Sequence, residues 1–305
     1  MNSLAKITLI ITSLYLLYVP ALYAQTKDSL AYTEILNISY YTGTGAASSY
    51  HKLNLVLPKG KTNMPLLLWI GGGAWSYVDR HQEMELARKI AGQGIAVASV
   101  GHRLSPATWK DPALNTGIQH PEHIKDIAKA FKWLYDHASQ YGYSQNDLFV
   151  GGFSSGGHLA ALLGLDHRYL KAEGSSIQQI KGIIPMSGTY DIPHYYQILS
   201  ASSGQQLADS HVKGVFGNSE KDFLDASPTT YLQNLSLPML LISDTNTYPY
   251  AKFFEDKIKA TGFTKLQVLH STELKHGELW KNLSFADKSK YRDTLVDFIN
   301  SHTTF

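Results

Sequence analysis

Gly152-Phe153-Ser154-Ser155-Gly156 is a G-x-S-x-G sequence whose neighbours decide its meaning. Before it runs Asp147-Leu148-Phe149-Val150-Gly151, a short apolar strand entered from a polar turn. After it, Gly157-His158-Leu159-Ala160-Ala161-Leu162-Leu163 reads as the start of a helix. A serine on a sharp strand-to-helix turn projects its hydroxyl out of the sheet, and small residues two positions either side leave room for the bend. The backbone N–H of the next residue, Ser155, can then help bind an oxyanion. The spacing points to nucleophilic catalysis by Ser154.

A serine hydroxyl needs a base to take its proton and an acid to orient that base. Asp244 directly follows the apolar run Pro238 to Ser243, where a carboxylate is awkward unless it has a role. His276 lies downstream in Leu274-Lys275-His276-Gly277, with room for one helix and one strand in between. Where the nucleophile sits on a strand-turn-helix elbow, the partners follow in the order acid, then base. Ser154, Asp244 and His276 obey that order. A turn or cap role for Asp244 and an ordinary loop role for His276 are the plainer alternatives. His270 is the rival base, although it ends the last strand instead of lying in the loop beyond it.

These residues need a scaffold that brings distant segments together. Leu53, Leu55 and Leu57 alternate with Lys52, Asn54 and Val56 on a strand that Pro58 ends. Pro65 to Ile70 is a buried strand running into Gly71-Gly72-Gly73-Ala74-Trp75, and Ile95 to Val100 is another. Ile124, Ile127, Ala128, Phe131, Leu134, Tyr135 and Ala138 recur at helical spacing. Further strands are expected at Gly182 to Met186, Pro238 to Ser243 and Leu266 to Leu269, with helices at Glu83 to Ala91, Tyr250 to Thr261 and Tyr291 to Asn300. Continuous apolar strands separated by helices mean an α/β fold: a mostly parallel central sheet with helices on both faces. Ligands in such folds bind beyond the carboxyl ends of the strands. The glycine run, Ser154 and Asp244 all fall at such ends. The polar, Ser-rich stretch 192–233 is the candidate for a small cap.

The chain has 305 residues, 44% of them hydrophobic and 17% charged, enough for one large core. A formal charge of +2 shows no leaning towards nucleic acid or acidic lipid. The absence of cysteine excludes disulfides and thiolate chemistry. The thirteen histidines show no metal-ligand spacing, so neither metal nor cofactor is expected. Residues 1–24 form one positive charge, an apolar run from Ile7 to Val19, Pro20 and a cleavage point at Ala24-Gln25. That is the layout of a secretory signal peptide, too short for a comfortable membrane span. Residues 25–305 are then an exported hydrolase domain with no stable span after cleavage; retention of the leader as an anchor is the alternative.

The motifs together resemble the α/β-hydrolase superfamily, and most closely its small serine esterases: bacterial feruloyl and acetyl-xylan esterases, kynurenine formamidase-like enzymes and hormone-sensitive-lipase-like carboxylesterases. The resemblance rests on Gly71 to Trp75, Arg103-Leu104-Ser105-Pro106, Gly151 to Leu163, Phe216-Gly217 with Ala226-Ser227-Pro228, and Ser243-Asp244 with His276. It implies ester hydrolysis through an acyl-enzyme, with Gly72, Gly73 and Ser155 forming the oxyanion hole. There are three departures. A histidine usually precedes the glycines, and here that place is Gly71. The usual Gly-Asp-x-Asp turn is Ser243-Asp244-Thr245-Asn246, which leaves Asp244 as the acid. The usual alanine after the nucleophile is Ser155.

Trp75, Tyr190, Tyr195, Tyr196, Tyr248, Tyr250 and Trp280 all lie close in sequence to these loops, and Trp75, Tyr190 and Tyr248 foremost are the expected substrate-binding positions. Their faces suit a sugar ring or a feruloyl group, giving a small-molecule or glycan-linked ester as substrate. His158 reads as packing, and Arg103 with Asp126 as structural polar contacts. Two other readings stay open: an amide or formamide hydrolase with the same triad, and an inactive hydrolase fold that only binds.

Overall fold

The computed structural model describes residues 30–47 and 49–304. The expected leader, residues 1–24, lies outside them. The strands are β1 (Tyr32–Ser39), β2 (Lys52–Pro58), β3 (Met64–Ile70), β4 (Ala96–Val100), β5 (Tyr143–Phe153), β6 (Ile180–Met186), β7 (Met239–Ser243) and β8 (Leu266–His270). They form one sheet in the order β1-β2-β4-β3-β5-β6-β7-β8. β2 runs antiparallel to both its neighbours, and every other pairing is parallel.

The continuous apolar runs are explained by cover on both faces. In β3, Leu66, Leu68 and Ile70 enter one core while Leu67 and Trp69 enter the other. β7 divides in the same way, Met239 and Leu241 against Leu240 and Ile242. The main helices are α1 (Met84–Ala91), α2 (Glu122–Asp136), α3 (Ser155–Leu165), α4 (Ile192–Ser203), α5 (Tyr248–Ala260), α6 (His276–Phe285) and α7 (Lys290–His302), and all but α4 supply the cover. Helices α2, α3 and α5 pack on the first face, and α1, α6 and α7 on the second. Helix α3 is buried along all of its 11 residues, which accounts for a sequence with no polar stripe.

Strand β1 was not anticipated. It sits at the sheet edge with a half-exposed face, carries Thr33, Glu34 and Asn37, and is interrupted between Ile35 and Ile38. An edge strand of that composition lacks the apolar run that reveals a central one. Residues 192–233 lie between β6 and β7 as α4 and a series of short helical turns. The entry to this segment is pinned by Asp191, which accepts hydrogen bonds from the His194 N–H at 3.0 Å and the Thr229 hydroxyl at 2.8 Å. Among the described residues no helix is long and apolar enough to cross a membrane.

The parallel register sets the ends of the strands side by side. Ile70 pairs with Gly152, Phe153 with Met186, Met186 with Ile242, and Ser243 with His270. The loops leaving β3, β5, β6 and β7 therefore open on one rim of the sheet. The closest approach on that rim is at Gly156, where an added Cβ would lie 2.0 Å from the Ile70 carbonyl oxygen. Gly156→Ala should lower the thermal midpoint sharply or abolish soluble expression. Gly214→Ala, where an added Cβ meets nothing within 4 Å in a helical turn, should be neutral or stabilise by up to about 1 kcal/mol. Calorimetric or circular-dichroism melts of the two variants decide the point.

Candidate active site

Ser154 links β5 to α3 with φ 57° and ψ −121°, a backbone conformation that non-glycine residues rarely adopt. Its N–H donates to the Met186 carbonyl at 2.8 Å, and its carbonyl accepts from the His158 N–H at 3.1 Å. The turn is so tight that a Cβ on Gly152 would lie 2.5 Å from the Gly156 carbonyl carbon. Glycine at positions 152 and 156 is thus a steric requirement of the bend. The serine side chain is left on the rim, only partly buried.

The structure brings Ser154, His276 and Asp244 into one line. His276 Nε2 lies 3.0 Å from Ser154 Oγ, and His276 Nδ1 lies 2.8 Å from Asp244 Oδ2. Asp244 is fully buried at the end of β7. It also accepts from the Asn246 N–H at 2.8 Å and from the Thr247 N–H and hydroxyl, both at 3.0 Å. Burial alone would raise its pKa, but His276, the Ser187 hydroxyl and the Thr247 N–H outweigh it and hold the carboxyl below its ordinary value. An ionised Asp244 fixes the proton on Nδ1 and leaves Nε2 to accept from the serine.

His276 is the first residue of α6, not the loop residue the sequence suggested. Asn246 Oδ1 accepts the His276 backbone N–H at 3.0 Å, so the uncharged neighbour of Asp244 helps to seat His276. The rival base His270 is engaged elsewhere, between Ser243 Oγ at 2.6 Å and Glu255 Oε2 at 2.8 Å. His158 also packs: Trp75 Nε1–H donates to its Nδ1 at 3.2 Å, and its Nε2–H donates to the Ala226 carbonyl at 2.8 Å. Burial lowers its pKa to about 3, which keeps it neutral. Arg103 and Asp126 form the expected structural pair, with contacts of 2.8–3.0 Å.

Two cavities meet at Ser154 and His276. The smaller, about 190 Å³, is bounded by Gly72, Gly73, Glu83, Phe153 and Trp280. The larger, about 300 Å³, is bounded by Trp75, Ser155, Thr189, Tyr195, His211 and Tyr250 among others. Gly72 adjoins the nucleophile, since a Cβ there would lie 3.1 Å from Ser154 Cβ. Of the three expected aromatic positions, Trp75 lines the larger cavity, but Tyr190 and Tyr248 do not line either one. Tyr190 is fully buried beneath the site, stacked on Phe254 at 4.4 Å, with its hydroxyl accepting the Gly188 N–H at 3.1 Å. Tyr248 is exposed at the start of α5 and packs edge-on against His270. Tyr195 and Tyr250, also expected near these loops, do line the larger cavity, and Trp280 lines the smaller.

Glu83 and His211 were missed. His211 lies in the segment 192–233, whose path cannot be read from periodicity. Burial lowers its pKa to about 4, and its Nε2 pairs with the Tyr195 hydroxyl at 3.0 Å. Glu83 was expected only as the first residue of a helix, and it is just 3% exposed. It occupies the space that Gly71 leaves empty: a Cβ on Gly71 would lie 3.0 Å from Glu83 Cγ. The departure at position 71 is thus filled from another element.

A mostly parallel eight-stranded sheet with an elbow serine, a following acid and a final histidine defines an α/β-hydrolase fold. The chain belongs to the BD-FAE family, whose profile matches residues 53–248. It is similar to a probable carboxylic ester hydrolase, LipM, of Mycobacterium tuberculosis, at 28% identity over 187 residues, 60% of this chain and 41% of that one. It is similar also to a kynurenine formamidase of Salmo salar, at 26% identity over 52% of this chain and 47% of that one. The chain spans about half the length of the curated relatives it matches. Among solved structures, esterase B of Lactobacillus rhamnosis superposes with a TM-score of 0.72 at 20% identity, covering 92% of this chain and 88% of that one. That likeness shows the fold.

Burial raises the Glu83 carboxyl from its ordinary 4.5 to about 7, against the pull of hydrogen bonds from the Trp69 and Trp280 indoles. A group that binds its proton more tightly folded than unfolded stabilises the fold fully below the unfolded value and loses that contribution as pH rises. Between pH 4.5 and 7.5 the Glu83 contribution should therefore decline by roughly 3 kcal/mol. In Glu83→Gln this component of the pH dependence should vanish, which denaturant titrations of both proteins at pH 5 and pH 8 would show.

Proposed function

We propose that the protein is an exported serine hydrolase of carboxylic esters, acting on small acyl groups carried by a carbohydrate or another hydroxylated alcohol. The observation that carries this reading is the Ser154–His276–Asp244 line, with contacts of 3.0 and 2.8 Å. Ser154 Oγ attacks the ester carbonyl as His276 Nε2 takes its proton. The carbonyl oxygen becomes an oxyanion held by backbone N–H groups of Ser155 and of Gly72 and Gly73. His276 then protonates the leaving alcohol, and the acyl group stays on Ser154. Water, deprotonated by His276, releases the acid and restores the serine.

The substrate class draws support from the larger cavity. Trp75, Tyr195 and Tyr250 offer aromatic faces there. The side chains of Ser155 and Thr189 and the Nδ1 of His211 are buried on its wall without a hydrogen-bond partner. Such a lining suits a ligand that is both ring-shaped and rich in hydroxyls. The likeness to a formamidase favours a second reading, cleavage of an amide or formamide by the same triad. An inactive binding protein has less support, because a fully engaged triad is retained.

Purified protein should hydrolyse p-nitrophenyl acetate and react rapidly with a fluorophosphonate probe, and Ser154→Ala should do neither. Equal rates for the two proteins would refute the reading, while faster turnover of N-formylkynurenine than of any ester would favour the amide alternative. Asp244→Asn should lose on the order of 10⁴-fold in kcat at nearly unchanged KM. Asn246→Ala removes a single neutral hydrogen bond and should lose about fivefold. Steady-state kinetics on the two variants separate the acid from its neighbour. Export is tested by expressing the full chain in a bacterial host and sequencing the N-terminus of the secreted or periplasmic product, which should begin at Gln25.

A further inference from the structure

Glu83 sits at the smaller cavity in an arrangement that the triad does not use. Its Oε2 accepts from Trp69 Nε1–H at 2.8 Å, and its Oε1 accepts from Trp280 Nε1–H at a long 3.3 Å. Trp69 belongs to β3, which runs into the glycine loop, and Trp280 to α6, which begins with His276. The carboxyl is thereby held from two sides. A carboxylate has about four acceptor sites, and the two indoles take only two of them. Salt bridges among the described residues do not include Glu83, so no cation satisfies the remainder. It shares the cavity wall with Ser154, His276 and the exposed Gln82.

We propose that Glu83 is a specificity-determining residue whose carboxyl, helped by Gln82 on the same cavity wall, hydrogen-bonds a hydroxyl on the substrate half that enters the smaller cavity. An alkyl group in that place would shut water out and leave the acceptor sites of a buried carboxyl unpaired, which is costly. An ammonium group would suit only the ionised form. A hydroxyl donates to the carboxylate or accepts from the carboxylic acid, and the Gln82 amide can complement it in either case. A cavity of about 190 Å³ accommodates a short substituent next to the scissile ester, not a long chain. The inference rests on the esterase reading and adds to it the chemistry of one substrate half.

Two ester pairs that differ by one hydroxyl test it, with hydrolysis followed by pH-stat. On the alcohol side the pair is 2-hydroxyethyl acetate and ethyl acetate; on the acyl side it is ethyl glycolate and ethyl acetate. Wild-type protein should prefer the hydroxylated member of one pair by at least about tenfold in kcat/KM beyond the ratio of their alkaline hydrolysis rates. Glu83→Gln should reduce that preference to about threefold or less. Gly71→Ala should lower it about twofold without altering the carboxyl, because its Cβ would lie 3.1 Å from Glu83 Oε1 and push it by a few tenths of an ångström; it carries the test if Glu83→Gln does not fold. A preference absent in wild type for both pairs, or unchanged in the variants, overturns the proposal while leaving the esterase reading intact. Failure of wild type both to hydrolyse any of these esters and to react with a fluorophosphonate overturns both.

Discussion

The packing of the β3 carbonyl end against the start of α3 is the constraint on which the site depends. Ile70 O approaches Gly156 so closely that a Cβ there would lie 2.0 Å away. That contact forces the chain to turn within a single residue, and Ser154 takes up the turn at φ 57°. Strain of this kind costs on the order of 1–3 kcal/mol and persists only where the surroundings over-determine it. Here the surroundings are α3, buried throughout between the sheet and α2, and the 2.8 Å bond from the Ser154 N–H to Met186. Each buried leucine of α3 contributes roughly 1.5–3 kcal/mol. The hydrophobic core therefore holds the hydroxyl on the rim, and the same contact sets the glycine loop beside it.

Asp244, bonded to His276, and Glu83, on the wall of the smaller cavity, are buried carboxyls whose surroundings push them in opposite directions. Asp244 has the imidazole, two backbone N–H groups and a hydroxyl around it, and its pKa is held down. Glu83 has only two indole donors, one of them at 3.3 Å, and its pKa is pushed up to about 7. The first is equipped to stabilise an imidazolium. The second is equipped to exchange hydrogen bonds in either protonation state. Groups of one chemical type, separated in charge by environment, are the usual way that a site divides its tasks.

Ser154 and Asp244 were legible in the sequence because they sit at the ends of buried strands. Pro65 to Ile70, Leu148 to Gly152 and Pro238 to Ser243 are apolar on both faces, so their ends could be located and Ser154 and Asp244 with them. Elements with weaker burial were harder to see. Edge strand β1 is half exposed, and α6 begins at His276 without a side-chain N-cap of the usual kind, Lys275 standing in that place. The cavity walls were the least legible part. Tyr190 and Tyr195 are five positions apart, yet one lies in the core and the other on the wall, because the chain turns into α4 between them. Proximity in sequence ranks such residues equally, and only the path of the loop separates them.

Position 71 shows how a departure from a family pattern can be misread when taken alone. A glycine where a histidine is usual looks like the loss of a support. In the folded chain the vacated volume holds the side chain of Glu83, which is bonded to Trp69 below the glycine loop and to Trp280 on the helix of the base. The residue that fills this volume ties β3, which leads into the loop, to α6. A side chain at position 71 would press on Glu83, because an added Cβ already lies 3.0 Å from Glu83 Cγ. Glycine at 71 and glutamate at 83 are therefore one feature of the structure, and a substitution at either position acts on the cavity through the other.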